Sequence, residues 1–452
     1  MATTYLTRQI STAGSRKKAT ISLWVKRGGG FGNDQRWFSY ENTSVANNVT
    51  VFKFSGDSIQ FADQTGGSNN ARYDGTRKLR DSNAWYHFLV KMDTTQSTEA
   101  DRLKIFINGE LQSEVSYTYP SQDSDLNIGH NSNAYIDIGR WRGSNNQYFD
   151  GCMSHYHFCD GYAYDASSFG ETDSTTGEWK IKTSPSVSYG TNGFFILKDG
   201  NSVTDQSGQG NNFTVGAGTL TNTEDCPSDN FATLNNLFIP TGSDANYAMS
   251  FSNGNTSVNP TSPDANGSRN YTCSTLAMKT SGGKYYAEFK INPANDLVGL
   301  IGLVGTQQAT ERFHYNNKMT DCLNGIAYDM AADRIRGNST DIVGSLTAAA
   351  SNDIVGIGID MDNKLFYAYL NGTLLNSGGS SFSFFTEPFA YFCLGDSSTS
   401  GYDGYQANFG NGYFGTTAIS SEGTNASGIG KFEYDVPSGF FSLCTKNLAN
   451  HG

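Results

Sequence analysis

The sequence predicts an all-β protein made of two β-sandwich, jelly-roll-like domains joined by a Gly/Ser/Asn-rich linker. Three observations predict it. Charged residues are only 16% of the 452 and apolar ones 37%, leaving a large share to Gly, Ser, Thr and Asn. Those residues are poor in helix interiors and favoured in turns. The 29 Phe and 25 Tyr suit half-buried strands and exclude a disordered chain. Finally, short runs of alternating hydrophobicity are broken by turn signals about every ten residues, the spacing of a sandwich.

The strands follow in order. ATISLWVKR at 19–27 alternates as a strand does. YHFLVKMD at 86–93 and LKIFINGEL at 103–111 make a pair, the second ending in an Asn108-Gly109 turn. AYIDIGRW at 134–141 and FDGCMSHYHFCDGYAY at 149–164 come next, then a short helical turn within 165–179. GFFILKD at 193–199 and NNFTV at 211–215 end the first domain, placed at 1–215. Residues 216–268 hold few apolar runs and read as a linker or extended crossover. A second strand series fills 269–452, from KYYAEFKI at 284–291 through DIVGIGIDMDNKLFYAYLNGTLL at 353–375 to YQANFG at 405–410, with a C-terminal extension.

The formal charge of -12 argues against nucleic-acid and anionic-membrane partners, both of which need basic faces. One stretch is basic (Arg8, Arg16, Lys17, Lys18, Lys26, Arg27) and reads as a solvated strand face. The seven Cys are odd in number and form no disulfide framework, so reduced thiols are expected. Met-Ala-Thr-Thr-Tyr has no basic or apolar leader, so no signal peptide is expected.

With these residues in view, the first half resembles a laminin-G/concanavalin-A-like lectin domain, through ISLWVKR, the pair WYHFLVKMD and DRLKIFINGEL, and FDGCMSHYHFCDG. LKDGNSVTDQSGQGNN at 197–212 resembles a segment that opens such domains, yet here it follows the closing strand, as a circular permutation would place it. The second half resembles a SPRY-type sandwich, through GGKYYAEFKI and the hairpin DIVGIGIDMDNKLFYAYLNGTLL. With DCPSDNFATLN at 225–235 and PSGFFSLCTKNLA at 437–449, the domain order resembles structural proteins of tailed bacteriophages of aquatic bacteria. That resemblance implies a virion-surface location, assembly in the host cytoplasm, other virion proteins as partners and a homo-oligomer on the particle. It implies host recognition by a tail fibre, spike or adhesin, with host-surface polysaccharide as ligand. Capsid decoration or a head fibre binding the phage shell is the alternative, with a glycan depolymerase behind both.

No catalytic residues are expected. Glucanases on such a sandwich need two carboxylates roughly 5 Å apart on one face, and 135–141 carries only Asp137. Cys152, His155, His157 and Cys159 suggest zinc, but three residues along one strand spread over about 13 Å at about 3.3 Å each and do not converge. No cofactor is expected, and calcium is the one metal kept open. Asp360, Asp362 and Asn363 alternate oxygens as calcium loops do, and Asp199, Asn201 and Asp205 are a second such set; turn formation, which Asp and Asn favour by bonding local backbone amides, is the preferred reading of both. Sugar binding needs aromatic platforms beside amides and guanidinium groups. The loop of Arg140, Trp141, Arg142, Asn145, Asn146 and Tyr148 offers them. So do Glu311, Arg312, Phe313, His314 and Tyr315, and Tyr402, Asp403 and Tyr405.

Overall fold

A computed structural model describes residues 3–113, 116–198, 202–238, 249–260, 271–292, 297–306, 319–396 and 403–452. Strand makes up 44% and helix 4%, as an all-β chain requires. Two compact units divide it, Met1–Asn222 and Thr223–Gly452.

The first unit packs two antiparallel sheets face to face. One runs, in spatial order, Ser116–Thr118, Ser68–Asp74, Ser58–Thr65, Val49–Ser55, Gln35–Asn42, Ala134–Ile138, Tyr5–Ile10 and Thr214–Ala217. The other runs Phe194–Ile196, Gly151–Asp160, Lys18–Arg27, Trp85–Asp93, Leu103–Ile107 and Glu110–Leu111. Ile21, Leu23 and Val25 alternate into the core beside Phe88 and Val90. At its centre the buried Trp37 ring stacks on Phe88 at 4.6 Å and meets the edges of Phe52 and Phe54 at 4.8 and 4.5 Å.

Lys18–Arg27 is buried on both faces, which simple alternation does not predict. Its outer face is covered by the chain after residue 160, whose Phe169, Tyr189 and Phe195 form a second apolar cluster with Leu89, Phe106 and Cys159. The helical turn expected within 165–179 is a single 3-10 turn, Ala166–Ser168, followed by the hairpin Gly170–Thr172 and Trp179–Ile181. The basic stretch is not a solvated face: Lys26 and Arg27 are buried, Arg8 donates to Asn192 O, and Arg16 pairs Asp125, Lys17 pairs Asp123, Lys18 pairs Asp93 and Arg27 pairs Asp57.

The late segment belongs to the first sandwich. Phe194–Ile196 pairs with Gly151–Asp160, and Thr214–Ala217 pairs with the first strand, Leu6 facing Val215. Phe213 meets Phe194 edge-on at 4.7 Å. One short strand is thus added to each sheet, beside both chain-early and chain-late elements.

The second unit is another two-sheet sandwich. One sheet orders Met249–Ser252, Ser257–Pro260, Tyr405–Asn408, Lys284–Ile291, Ile354–Asp360, Leu365–Leu370 and Thr373–Leu374. The other orders Tyr271–Cys273, Phe389–Asp396, Gly299–Gly305, Gly325–Asp329, Arg334–Gly337 and Thr340–Val343. Phe289, Ile301, Leu303, Ile357 and Phe392 meet between them.

Within the described residues, 216–268 is not a linker. Its start completes the first sandwich, whereas Ala232 and Leu234 lie in the second core. Ser257–Pro260 pairs with Tyr405–Asn408. The polar composition misleads because the few buried residues there are spaced among turn formers. The phrases 225–235 and 437–449 pair with each other. Phe231 bridges Cys444, the Ala232 amide donates to Leu443 O at 2.9 Å, the Thr445 amide donates to Asn230 O at 3.0 Å, and Lys446 meets Asp229 at 3.6 Å. Entry and exit of the second sandwich are therefore tied together just before the helix Thr445–His451.

Candidate functional site

Residues 140–148 lie against the outer face of the first unit's larger sheet. Alternation along Ala134–Ile138 puts Ile136 and Ile138 in the core and turns Tyr135 and Asp137 outward. Asp137 is 1% exposed, because the loop folds back over it. One carboxylate oxygen accepts from Arg140 Nε at 2.7 Å; the other accepts from Thr7 Oγ1 at 2.6 Å and an Arg142 guanidinium N–H at 2.7 Å. A second carboxylate, Glu41, accepts from the backbone amides of Arg142 and Gly143 at 3.2 and 3.1 Å. Burial pushes the Glu41 carboxyl up, against the pull of Arg36.

The aromatic and guanidinium groups interleave. Arg140 lies 3.5 Å over the Tyr5 ring, Arg142 4.0 Å over Tyr135, and Arg36 4.3 Å over Trp141. A Trp141–Asn146 bridge closes the loop, with backbone bonds of 2.8 and 3.3 Å. Asn145 Oδ1 accepts from Arg140 at 2.8 Å and from Tyr148 Oη at 2.7 Å, which fixes its amide. Gly143, Ser144, Asn145 and Asn146 are exposed, while Trp141, Arg142 and Tyr148 are half-buried. The loop thus brings together the six residues the sequence picked there and holds them at the surface through these bonds. Asp137, Glu41, Thr7 and Arg36 anchor them and were not singled out as site residues. The outward position of Asp137, three residues before Arg140, was the only local signal for that anchor.

The fold around this loop has known counterparts. Residues 2–167 match the concanavalin A-like lectin/glucanases superfamily. No curated protein matches the chain in sequence. Among solved structures, the SPRY domain of human HERC1 is similar at 15% identity, over 35% of this chain and 91% of that one, with a TM-score of 0.29. The heptameric SAP-like pentraxin of Limulus polyphemus is similar at 14% identity, over 34% and 69%, with a TM-score of 0.26. Domains LG4-5 of the mouse laminin α1 chain are similar at 8% identity, over 98% and 84%, with a TM-score of 0.28.

The other candidates fare differently. Tyr405 is 2% exposed and sits in the second unit's core, so it is no surface platform. It reads as a loop residue because Asp403 and Gly404 precede it, but it faces inward with Ala407 on a central strand. Asp403 is likewise buried. Glu311, Arg312, Phe313, His314, Tyr315, Tyr402, Asp199 and Asn201 lie outside the described residues.

The calcium candidates are occupied by protein donors. Asp360 accepts from Asn363 through both its amide groups at 3.0 and 2.9 Å and from Lys284 at 2.8 Å. Asp362 accepts from the Gly283 amide at 3.2 Å. Asp205 accepts from the amides of Phe195, Ser207 and Asn211 and from Ser207 Oγ, all at 2.7–2.9 Å. These carboxylates close turns, and no group of metal-ligating side chains converges among the described residues.

His157 packs on Phe195 with ring centroids 4.0 Å apart and bonds Tyr189 Oη through Nδ1 at 2.9 Å. A bulge between Ser154 and His157 breaks the even alternation on which the zinc idea rested.

Proposed function

We propose that the protein is a bacteriophage virion-surface protein that recognises host-surface glycan through the loop 140–148. The lectin-like fold supports a binding module. The phrases at 225–235 and 437–449 support the virion setting, since their resemblance is to tailed-phage structural proteins. The observation that carries the glycan reading is the loop's construction. Buried Asp137 and Glu41 neutralise and hold its guanidinium groups and backbone, leaving Asn145, Asn146, Tyr148 and the Trp141 edge displayed without freedom to collapse. A sugar then meets polar groups already oriented beside aromatic surface, which reduces the ordering cost of binding.

Binding fits these carboxylates better than hydrolysis does. A glycosidase needs one carboxyl free to give a proton and another free to attack. Here both oxygens of Asp137 and both of Glu41 accept protein donors.

On the particle, other virion proteins would hold the chain as one of several copies, so that modest single-site affinity is multiplied. The test is adsorption of host cells and a glycan array, with Tyr148→Ala and Asn145→Ala against the parent protein. A several-fold loss is expected for each, from about 1 kcal/mol per aromatic or placed polar contact. Unchanged adsorption, with tight binding to empty capsids, would replace recognition by decoration.

A further inference from the structure

Three cysteines of the second unit meet in one buried apolar cluster: Cys273, Cys322 and Cys393, with Tyr271, Leu300, Val304 and Met319. Cys273 and Cys393 stand opposite each other on adjacent antiparallel strands. Their sulfurs are 3.1 Å apart, with no covalent bond between them.

The register decides what this pair can do. The next position along, Ser274 facing Phe392, is hydrogen-bonded: the Ser274 amide donates to Phe392 O at 2.7 Å. Cys273 O turns the other way and accepts from the Asn235 amide at 2.8 Å. The two cysteines therefore occupy a position between hydrogen-bonded pairs, where facing Cα atoms come to about 4.5 Å and side chains are closest. A disulfide spans Cα separations of about 4.4–6.8 Å, so the backbone already meets its requirement.

We propose that Cys273 and Cys393 are an oxidisable pair that closes into a cross-strand disulfide when the protein meets a small disulfide oxidant. The chemistry balances with oxidised glutathione. One cysteine thiolate attacks a glutathione sulfur and expels one glutathione thiolate. The second cysteine thiolate then attacks the mixed disulfide and expels the other. Two cysteine thiols are oxidised, one glutathione disulfide is reduced to two thiols, and the two protons pass to these products.

Burial sets the rate. Cys273 is 2% and Cys393 0% exposed, and burial pushes the Cys393 thiol well above its usual range. Attack on an external disulfide thus awaits local release of Tyr271–Cys273, a three-residue strand at the end of its sheet's order. In a reducing compartment the pair stays open. After transfer to an oxidising medium it closes a loop of 120 residues. The inference stands independently of the glycan reading, since the loop 140–148 lies in the other unit.

The test uses the full chain incubated with oxidised glutathione, with and without sub-denaturing urea, then blocked with N-ethylmaleimide. Weighed before blocking, the expected product is lighter than the reduced chain by two hydrogen atoms, and after blocking peptide mapping links Cys273 to Cys393. Urea should speed its formation, and Tm should rise by about 5 °C, reversibly on reduction. Cys322→Ser should leave the link intact. Mapping needs no variant of the pair itself, so a folding defect cannot obscure the result. A fully reduced Cys273–Cys393 pair after long exposure in urea would overturn the proposal, as would a Cys322–Cys393 link in its place.

Discussion

Trp179 lies over His87, with ring centroids 5.9 Å apart and the indole Nε1 donating to His87 Nδ1 at 3.1 Å. On its other side the imidazole stacks on Trp24 at 5.1 Å. Indole N–H only donates, so Nδ1 must accept. The ring proton then sits on Nε2 and serves Ser22 Oγ at 2.8 Å. This contact pins the chain that crosses the outer face of the sheet. It is also incompatible with a charged imidazole, whose Nδ1–H would point at the indole N–H.

An acid sensitivity follows. Burial lowers the His87 pKa to about 3. A histidine with a depressed folded pKa contributes stability that is full above its unfolded value near 6.5 and is lost as pH falls toward 3. The loss from this group reaches about 5 kcal/mol at the acid end, at about 1.4 kcal/mol per unit. Tryptophan fluorescence reads the first unit selectively, because Trp24, Trp37, Trp85, Trp141 and Trp179 are the chain's five Trp residues. Denaturant midpoints should fall between pH 6.5 and 4, and less steeply in His87→Gln. Equal slopes in the two proteins would refute the assignment.

Glu288 gives the second unit the opposite response. It is 0% exposed, and it accepts from the Glu433 and Tyr434 amides at 2.9 Å each, clamping the C-terminal arm to the sheet. Burial raises its pKa to about 7 despite those donors. An acid with a raised folded pKa contributes stability that is full below its unfolded value near 4.5 and is lost as pH rises through 7. The loss is about 3 kcal/mol over that window. Hydrogen exchange in Lys284–Ile291 should therefore quicken from pH 5 to 8 beyond its intrinsic pH dependence, and Glu288→Gln should flatten this trend whatever its effect at a single pH.

Phe213 tests the closure of the first sandwich by its late segment. It is 3% exposed and packs on Phe194. Phe213→Ala should destabilise the first unit by about 3–5 kcal/mol, the usual cost of removing a buried ring. Hydrogen exchange in Lys284–Ile291 should be unchanged. A loss of protection there instead would mean that the segment supports the other unit.

Strand positions were legible wherever aromatic and β-branched residues alternate, as in 19–27, 86–93 and 284–291. Pairing over long distances was not. Phe231, Ala232 and Leu234 sit in a polar stretch, and only their partners Leu443, Cys444 and Asn255 reveal them as built in. Tyr405 shows the same limit, since an aromatic after Asp403 and Gly404 has a loop's composition but a central strand's register. The loop 140–148 was visible because its residue types cluster in sequence. Its anchors Thr7 and Glu41 come from strands far away in the chain, and no local pattern points to them.

That division between display and anchoring gives a further prediction. Asp137→Ala would leave the Arg140 and Arg142 guanidinium groups against the sheet without their shared carboxylate. Removing one member of a buried charged network typically costs about 3–5 kcal/mol, because the remaining charge stays desolvated. Both the stability of the first unit and the order of the loop should suffer, and glycan binding should fall with them. Asn145→Ala leaves the carboxylate anchor untouched. It removes the acceptor for Arg140 and Tyr148 but leaves Asp137 in place. Its unfolding free energy should fall by only about 1–2 kcal/mol, the scale of a hydrogen bond or two and well below the cost of Asp137→Ala. Binding should still drop several-fold. Parallel loss of stability and binding in both variants would make the loop a structural plug and not a binding surface.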